Sequence, residues 1–297
     1  MTGSPGDPIH RSAREAMGTV FEVLIAGQEA DYAAQASQAV FREIEHLEAL
    51  FSRFNASSEI GQINRLRSDE SMRISPESFE CLQAAEKVRR ETGGAFDPNF
   101  RRSAGYSDRP AFDLTADASG FRVRLHRDLF RRPPVGLDLD LGAIGKGYAV
   151  DRGASLLAQW SIETFLIHGG TSTALAAGSA PGLSPGETGW PVGVGGTWKL
   201  AEIPKRVLLH NRALSGSGTE VKGRHILDPR TGRRAEGHLA VWVSHPSATL
   251  ADALSTAFMA MAHKEVRRYC RVHPEVWALL ITPKSKSRIF NPEIIPA

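Results

Sequence analysis

An aspartate and a threonine four residues apart, Asp252 and Thr256, sit in the stretch SATLADALSTAFMAMA, which is mostly alanine and larger apolar residues. On a helix, residues four apart share one face. Asp252 is the only charged residue between Pro246 and Ala262, and Ala251, Leu254, Phe258 and Met261 make an apolar stripe on the other side. A helix covered on both sides must give its carboxylate a partner, because an unpaired buried charge costs several kcal/mol. Carboxylate and hydroxyl oxygens together suit a hard cation such as Mg²⁺. The same letters also spell a helix start, with Thr249 as cap and Asp252 three residues later. On spacing alone that capping box is the commoner meaning.

A second group lies in DLDLGAIGKGYAVDR, residues 138–152, where Asp138, Asp140, Lys146 and Asp151 surround a glycine-relieved turn. Such a segment is either a surface strand-to-helix connection or a place where backbone comes close to something charged. In GRHILDPRTGRR, His225 could carry a proton at neutral pH and Asp228 could orient it or meet a metal; DPRTG is equally a good type I turn. TGGAFDPNF places Asp97 after two glycines, which reads as a ligand approach or as a helix C-cap followed by an Asx-Pro turn. HGGTST, 168–173, could bind phosphate through backbone N–H groups or form a tight turn. No GxxxxGK[ST] or HExxH occurs.

The elements that must position these residues can be read from periodicity. TVFEVLIAG is a strand; Ala30 to Phe51 is a helix with Val40, Ile44, Leu47 and Phe51 on one face. Ser75 and Pro76 start a second helix that Gly93 and Gly94 stop, and a third runs from the 138–152 segment to about Trp160. Strands are expected at FRVRLH, TFLIHGG, WPVGVGG, RVLLHNRALSG, LAVWVSH and VWALLIT, with helices over 248–271. Residues 1–15, polar and rich in Pro and Gly, read as a flexible tail before one domain spanning 16–297. Without a strict βαβ rhythm the chain is α+β.

Composition sets the outer limits. The chain has 297 residues, 41% hydrophobic and 23% charged, with a formal net charge of +3. A sizeable core is therefore available, and the small charge excess gives no support to nucleic-acid binding. No apolar run is long enough to span a membrane. The N-terminus has no apolar signal region and the two cysteines, Cys81 and Cys270, show neither metal spacing nor a disulfide framework; a cytoplasmic location is the expectation.

Taken in order, AMGT, FSRFNASSEIGQINR, TGGAFDP, DLDLGAIGKGYAVD, HGG, SGSG, HILDPRTG and ADALSTA give a series that resembles the ApbE family of FAD:protein FMN transferases. The resemblance implies an α+β, T-fold-like architecture of mixed sheets packed with helices, with the ligand site between its two halves. It implies Mg²⁺-dependent transfer of FMN from FAD to a Thr or Ser hydroxyl of an acceptor flavoprotein, with release of AMP. Carried over by motif, Asp252, Thr256 and the carbonyl of Ala143 would be metal ligands. Met17, Phe54, Ala95, Phe96, Asp97, Asp140, Lys146 and Ile226 would bind FAD, Phe54 taking the place of the family's tyrosine. His225 would activate the acceptor hydroxyl, steadied by Asp228. An FAD pyrophosphatase using water in place of the acceptor, and a non-catalytic FAD-binding protein, are the alternatives.

Overall fold

The computed structural model describes residues 8–100, 111–125, 137–195, 204, 206–219, 226–284 and 286–295. The chain opens with a hairpin, β1 (Ile9–Ala16) and β2 (Thr19–Ala26), paired from Ile9↔Ala26 to Ala16↔Thr19. Met17 and Gly18 form its two-residue turn with φ of 50° and 70°, the backbone of a type I′ hairpin. Residues 9–15 are thus a strand rather than part of a tail. As an edge strand β1 is solvated along much of its length, so its sequence lacks the apolar alternation that would betray it.

Helix α1 (Ala30–Phe51) has the expected bounds and buries Val40, Ile44, Leu47 and Phe51. The short α2 (Glu59–Ile63) follows, then β3 (Ser71–Ile74) and α3 (Pro76–Glu91). Ser75 Oγ caps α3 by accepting Ser78 N–H at 3.1 Å, and Pro76 fits the first turn, where no amide partner is needed. β4 (Phe112–Asp117) and β5 (Gly120–Leu125) join β3 in a small sheet ordered β3-β5-β4.

The rest builds the main sheet. Helix α4 (Gly145–Gln159) leads to β6 (Phe165–Gly169) and β7 (Thr173–Ala177). A separate hairpin, β8 (Trp190–Gly193) and β9 (Arg206–Leu209), precedes β10 (Arg212–Gly218). Two-residue strands β11 (Leu227–Asp228) and β12 (Arg233–Arg234) make a small ribbon before β13 (Ala240–His245). Helices α5 (Ala248–Ala260) and α6 (His263–Val272) and strands β14 (Trp277–Ile281) and β15 (Ser287–Phe290) complete the chain.

The eight strands β1-β2-β6-β7-β10-β13-β14-β15 form one antiparallel sheet. Helices α1, α4 and α5 cover one face, where Phe21, Val23, Ile167, Leu175, Val241 and Val243 enter the larger core. The β8–β9 hairpin covers part of the other with Trp190, Val192 and Leu209. Alternate residues of each strand therefore feed two cores, and helix-facing positions are apolar with few exceptions. Two exceptions, Thr173 and Ser215, lie directly opposite each other in the β7–β10 register and are buried. They lie under Asp252.

Candidate functional site

The site is built where α4 and α5 cross the sheet. The two helices meet closely because Gly147 has no side chain: a Cβ there would lie 2.3 Å from Ala248 O and 2.8 Å from Asp252 Cβ. A clamp fixes the pair. Asp151, one turn beyond Gly147 on α4, accepts hydrogen bonds from Ser247 Oγ (2.6 Å), Ala248 N (2.7 Å), Thr249 N (2.9 Å) and Thr249 Oγ1 (2.6 Å). It satisfies amides that the first turn of α5 cannot pair internally and places a negative charge at the positive end of the helix dipole.

This arrangement overturns the capping reading of Asp252. The N-cap of α5 is Ser247, whose Oγ accepts Leu250 N–H at 3.3 Å, and Thr249 gives its hydroxyl to Asp151. Asp252 lies a turn deeper, only 4% exposed, and faces α4 and the sheet. Its Oδ2 accepts Gly147 N–H at 3.1 Å and lies 3.6 Å from Lys146 Nζ. Its Oδ1 meets Thr173 Oγ1 at 3.3 Å and Ser215 Oγ at 3.1 Å. Lys146 also donates to Gly142 O at 2.9 Å, so its charge hangs over the start of α4 beside Ala143. Thr256, half-buried one turn beyond Asp252, has its hydroxyl 3.3 Å from Ser217 Oγ.

The donor set fits a hard cation. It offers one carboxylate, one hydroxyl and, on the approach to α4, the Ala143 carbonyl; all are oxygens, and one charged ligand suits an ion that keeps water or substrate phosphate in its remaining positions. Among the described residues no group of three or more His, Cys, Asp or Glu side chains could hold a metal alone. The nearest described cation to Oδ2 in the ion-pair geometry is Lys146 itself.

Other sequence candidates gather nearby. The turn at Ala95–Asn99 is tied to the approach to α4: Asp138 N donates to Asn99 Oδ1 at 2.8 Å and Asp140 N to Pro98 O at 2.8 Å. This brings Asp97 and Asp140 onto adjoining segments. Each accepts a local amide, Asp97 from Asn99 at 2.7 Å and Asp140 from Gly142 at 2.9 Å, so both shape turns as well as carrying charge. Ala95 and Phe96 are buried at 2% and 3% exposure, so what this pair can offer a ligand is backbone. Arg53 connects the region to the end of α1 through Asp138 at 2.9 Å and Asp140 at 3.9 Å. Beside it Phe54 is 88% exposed, its ring 5.0 Å from the Arg53 guanidinium. Arg53, Phe54, Asn64 and Asp138 line a cavity of about 280 Å³. An aromatic face left in solvent beside a cavity is what a stacking base requires.

Met17 sits in the β1–β2 turn, partly buried against the core. Ile226 precedes the β11–β12 ribbon, its carbonyl accepting Ala235 N–H at 2.9 Å. His225 lies outside the described residues. Asp228 holds the DPRTG turn, accepting Thr231 and Gly232 amides on its carbonyl, while its carboxylate makes a two-pronged pair with Arg230 at 2.9 and 3.0 Å. Arg230 also bonds Glu265 at 2.8 Å and Ala260 O at 2.8 Å, tying the ribbon to the carbonyl end of α5. A cation there complements the helix dipole, and Asp228 beside it holds the guanidinium pKa up.

Sequence reasoning named Asp151 only among the charges of the 138–152 segment and singled out neither Ser215 nor Arg230. Thr173 had been noticed only as part of HGGTST, which is a tight β6–β7 turn with Gly170 at φ 69°. A buried hydroxyl on an otherwise apolar strand face is the one signal that could have singled out Thr173 and Ser215.

Comparison with known proteins finds relatives and solved structures along most of the chain. The family described as the ApbE family matches residues 17–280. The FAD:protein FMN transferase of Chlamydia trachomatis serovar D is 26% identical over 78% of this chain and 77% of its own. The FAD:protein FMN transferase of Salmonella typhimurium is 25% identical over 86% and 79%. Among solved structures, the apo form of the Pseudomonas stutzeri flavinyl transferase ApbE superimposes with a TM-score of 0.76 at 21% identity, covering 96% of each chain. The ApbE protein of Thermotoga maritima gives 0.74 at 23% identity, covering 95% of this chain and 96% of that one. Both share the fold.

Proposed function

The chain belongs to the ApbE family, and from that premise we propose that it is an FAD:protein FMN transferase that moves FMN from FAD to a Thr or Ser hydroxyl of an acceptor protein and releases AMP. The observation that carries this reading is the meeting of Lys146 and Asp252, 3.6 Å apart across the α4–α5 seam, with oxygen donors on the same helix face. The names of the curated relatives supply the substrate class.

Asp252 and Thr256 would hold the metal, with the Ala143 carbonyl as a third protein ligand, and a cation bound there would supply charge neutralisation at the pyrophosphate and at the departing AMP. Lys146 adds a point charge to the same phosphates. Phe54 stacks on an aromatic part of the dinucleotide, while the backbone around Ala95, Phe96 and Asp97, with Met17, Asp140 and Ile226, lines the rest of the site. His225 accepts the proton of the incoming hydroxyl. The hydroxyl oxygen forms a bond to the FMN phosphorus, the bond from that phosphorus to the bridging oxygen breaks, and AMP leaves with the electron pair. Such transfer depends chiefly on positioning and charge neutralisation, which this residue set supplies.

The test is incubation of the purified protein with FAD and Mg²⁺, with and without an acceptor protein. AMP release accompanied by a covalent FMN adduct on the acceptor supports the reading. Free FMN and AMP with an unmodified acceptor point to hydrolysis instead.

A further inference from the structure

Two residues apart on β10, Ser215 and Ser217 face α5; four residues apart on α5, Asp252 and Thr256 face them. The match is metrical, since two strand residues advance about 6.6 Å and four helix residues about 6 Å. Each proposed metal ligand therefore stands over its own hydroxyl. From this geometry we propose that Thr173, Ser215 and Ser217 are positioning residues that orient the two side-chain ligands, a role that rests on the metal-site reading above.

The argument is one of protons and lone pairs. Thr173 Oγ1 and Ser215 Oγ lie 3.0 Å from each other and 3.3 and 3.1 Å from Asp252 Oδ1. Two hydroxyls have two protons for these three contacts, and Oδ1 can only accept from them. Whichever hydroxyl donates, Oδ1 is turned into the sheet and Oδ2 is the oxygen left on the Lys146 side. Both hydroxyls are buried, at 2% and 0% exposure, so each must be satisfied here.

At Thr256 the direction of the chain matters. Ser255 Oγ donates back to Asp252 O at 2.9 Å. It then accepts from Ser217, 2.8 Å away, and Ser217 in turn accepts the proton of Thr256, 3.3 Å away. Each hydroxyl gives one proton, and the Thr256 oxygen is left with its lone pairs turned outward. A hydroxyl that ligates a cation must present lone pairs, so the row beneath α5 sets both ligands in the binding orientation before any cation arrives.

The experiment titrates Mn²⁺ into the full-length protein without FAD, reading free Mn²⁺ by electron paramagnetic resonance, and measures FAD affinity separately by flavin fluorescence. Ser215→Ala, Thr173→Val and Ser217→Ala are each expected to weaken Mn²⁺ binding about tenfold, as loss of a ligand-orienting partner does elsewhere. FAD affinity should stay at the wild-type level, and Thr173→Ser, which keeps the hydroxyl, should bind Mn²⁺ as wild type does. Should Ser215→Ala fail to fold, the half-buried Ser217→Ala and the Thr173→Val and Thr173→Ser pair carry the test. Wild-type Mn²⁺ affinity in these variants, alongside its loss in Asp252→Ala, overturns the positioning role alone. No Mn²⁺ uptake by the wild type, or unchanged uptake by Asp252→Ala, removes the metal site and the positioning role together.

Discussion

Lys146 Nζ lies 3.6 Å from Asp252 Oδ2, although 105 residues separate Asp252 from the neighbouring Gly147 whose amide it also accepts. The contact depends on three separate devices. Gly147 lets the two helices approach, Asp151 grips the start of α5, and the Thr173–Ser215 pair turns the carboxylate. A buried acid with donors on both oxygens and a lysine at its edge is arranged to hold positive charge, and the proposed function puts the cation and the pyrophosphate there.

Replacing Asp252 with asparagine keeps the shape and removes the charge. FMN transfer should fall about 100-fold, and the response to added Mg²⁺ should flatten. Initial rates over a Mg²⁺ series check this; wild-type rates with an unchanged Mg²⁺ response would return Asp252 to a purely structural role.

Asp151→Ala deletes the acceptor of two backbone amides and two hydroxyls at the start of α5. A lost cap with charge-assisted bonds costs about 2–3 kcal/mol. Urea unfolding should show that loss as a lower midpoint at unchanged slope, while Asp151→Asn, still an acceptor, recovers part of it. A midpoint equal to wild type would mean that water replaces the clamp.

How much of this was legible in the sequence follows a physical division. The α1 stripe of Val40, Ile44, Leu47 and Phe51 and the Ser75–Pro76 start of α3 depend on neighbours within a turn or two, and both are found as expected. Strand β1 was missed because an edge strand needs no apolar alternation. Thr249 was misread as a cap because Ser247, two residues earlier, takes the position and Asp151 claims the threonine hydroxyl. Helix spacing singled out Asp252 and Thr256, and motif resemblance assigned them to a metal. Their hydroxyl neighbours Thr173, Ser215 and Ser217 come from strands β7 and β10, and no local spacing encodes a contact between helix and sheet.

His238 supplies a pH dependence. It is 3% exposed and neither ring nitrogen has a hydrogen-bond partner among the described residues; burial pushes its pKa down to about 4. The Met261 backbone lies close enough to oppose part of that shift without meeting hydrogen-bond geometry. The unfolded chain protonates first, near pH 6.5, while the folded chain holds the ring neutral. Stability is therefore complete above about pH 6.5 and is lost progressively as pH falls toward 4, by about 3 kcal/mol in all. Urea midpoints from neutral to acid pH should fall less steeply for His238→Leu than for wild type. Parallel slopes would show that the ring is not desolvated.

His225→Ala should separate binding from chemistry. FAD affinity by fluorescence should be unchanged, while transfer to the acceptor falls about 100- to 10,000-fold, the range for loss of a general base. Loss of FAD binding with the activity would assign the residue to the nucleotide instead.

The most direct measurement combines nucleotide chromatography with intact mass of an acceptor protein after incubation with FAD, Mg²⁺ and this protein. The account predicts AMP release matched by one covalent FMN on the acceptor, abolished when the acceptor Thr or Ser is replaced by alanine. Intact FAD in every tube, or AMP and free FMN beside an unmodified acceptor known to be competent, would contradict it.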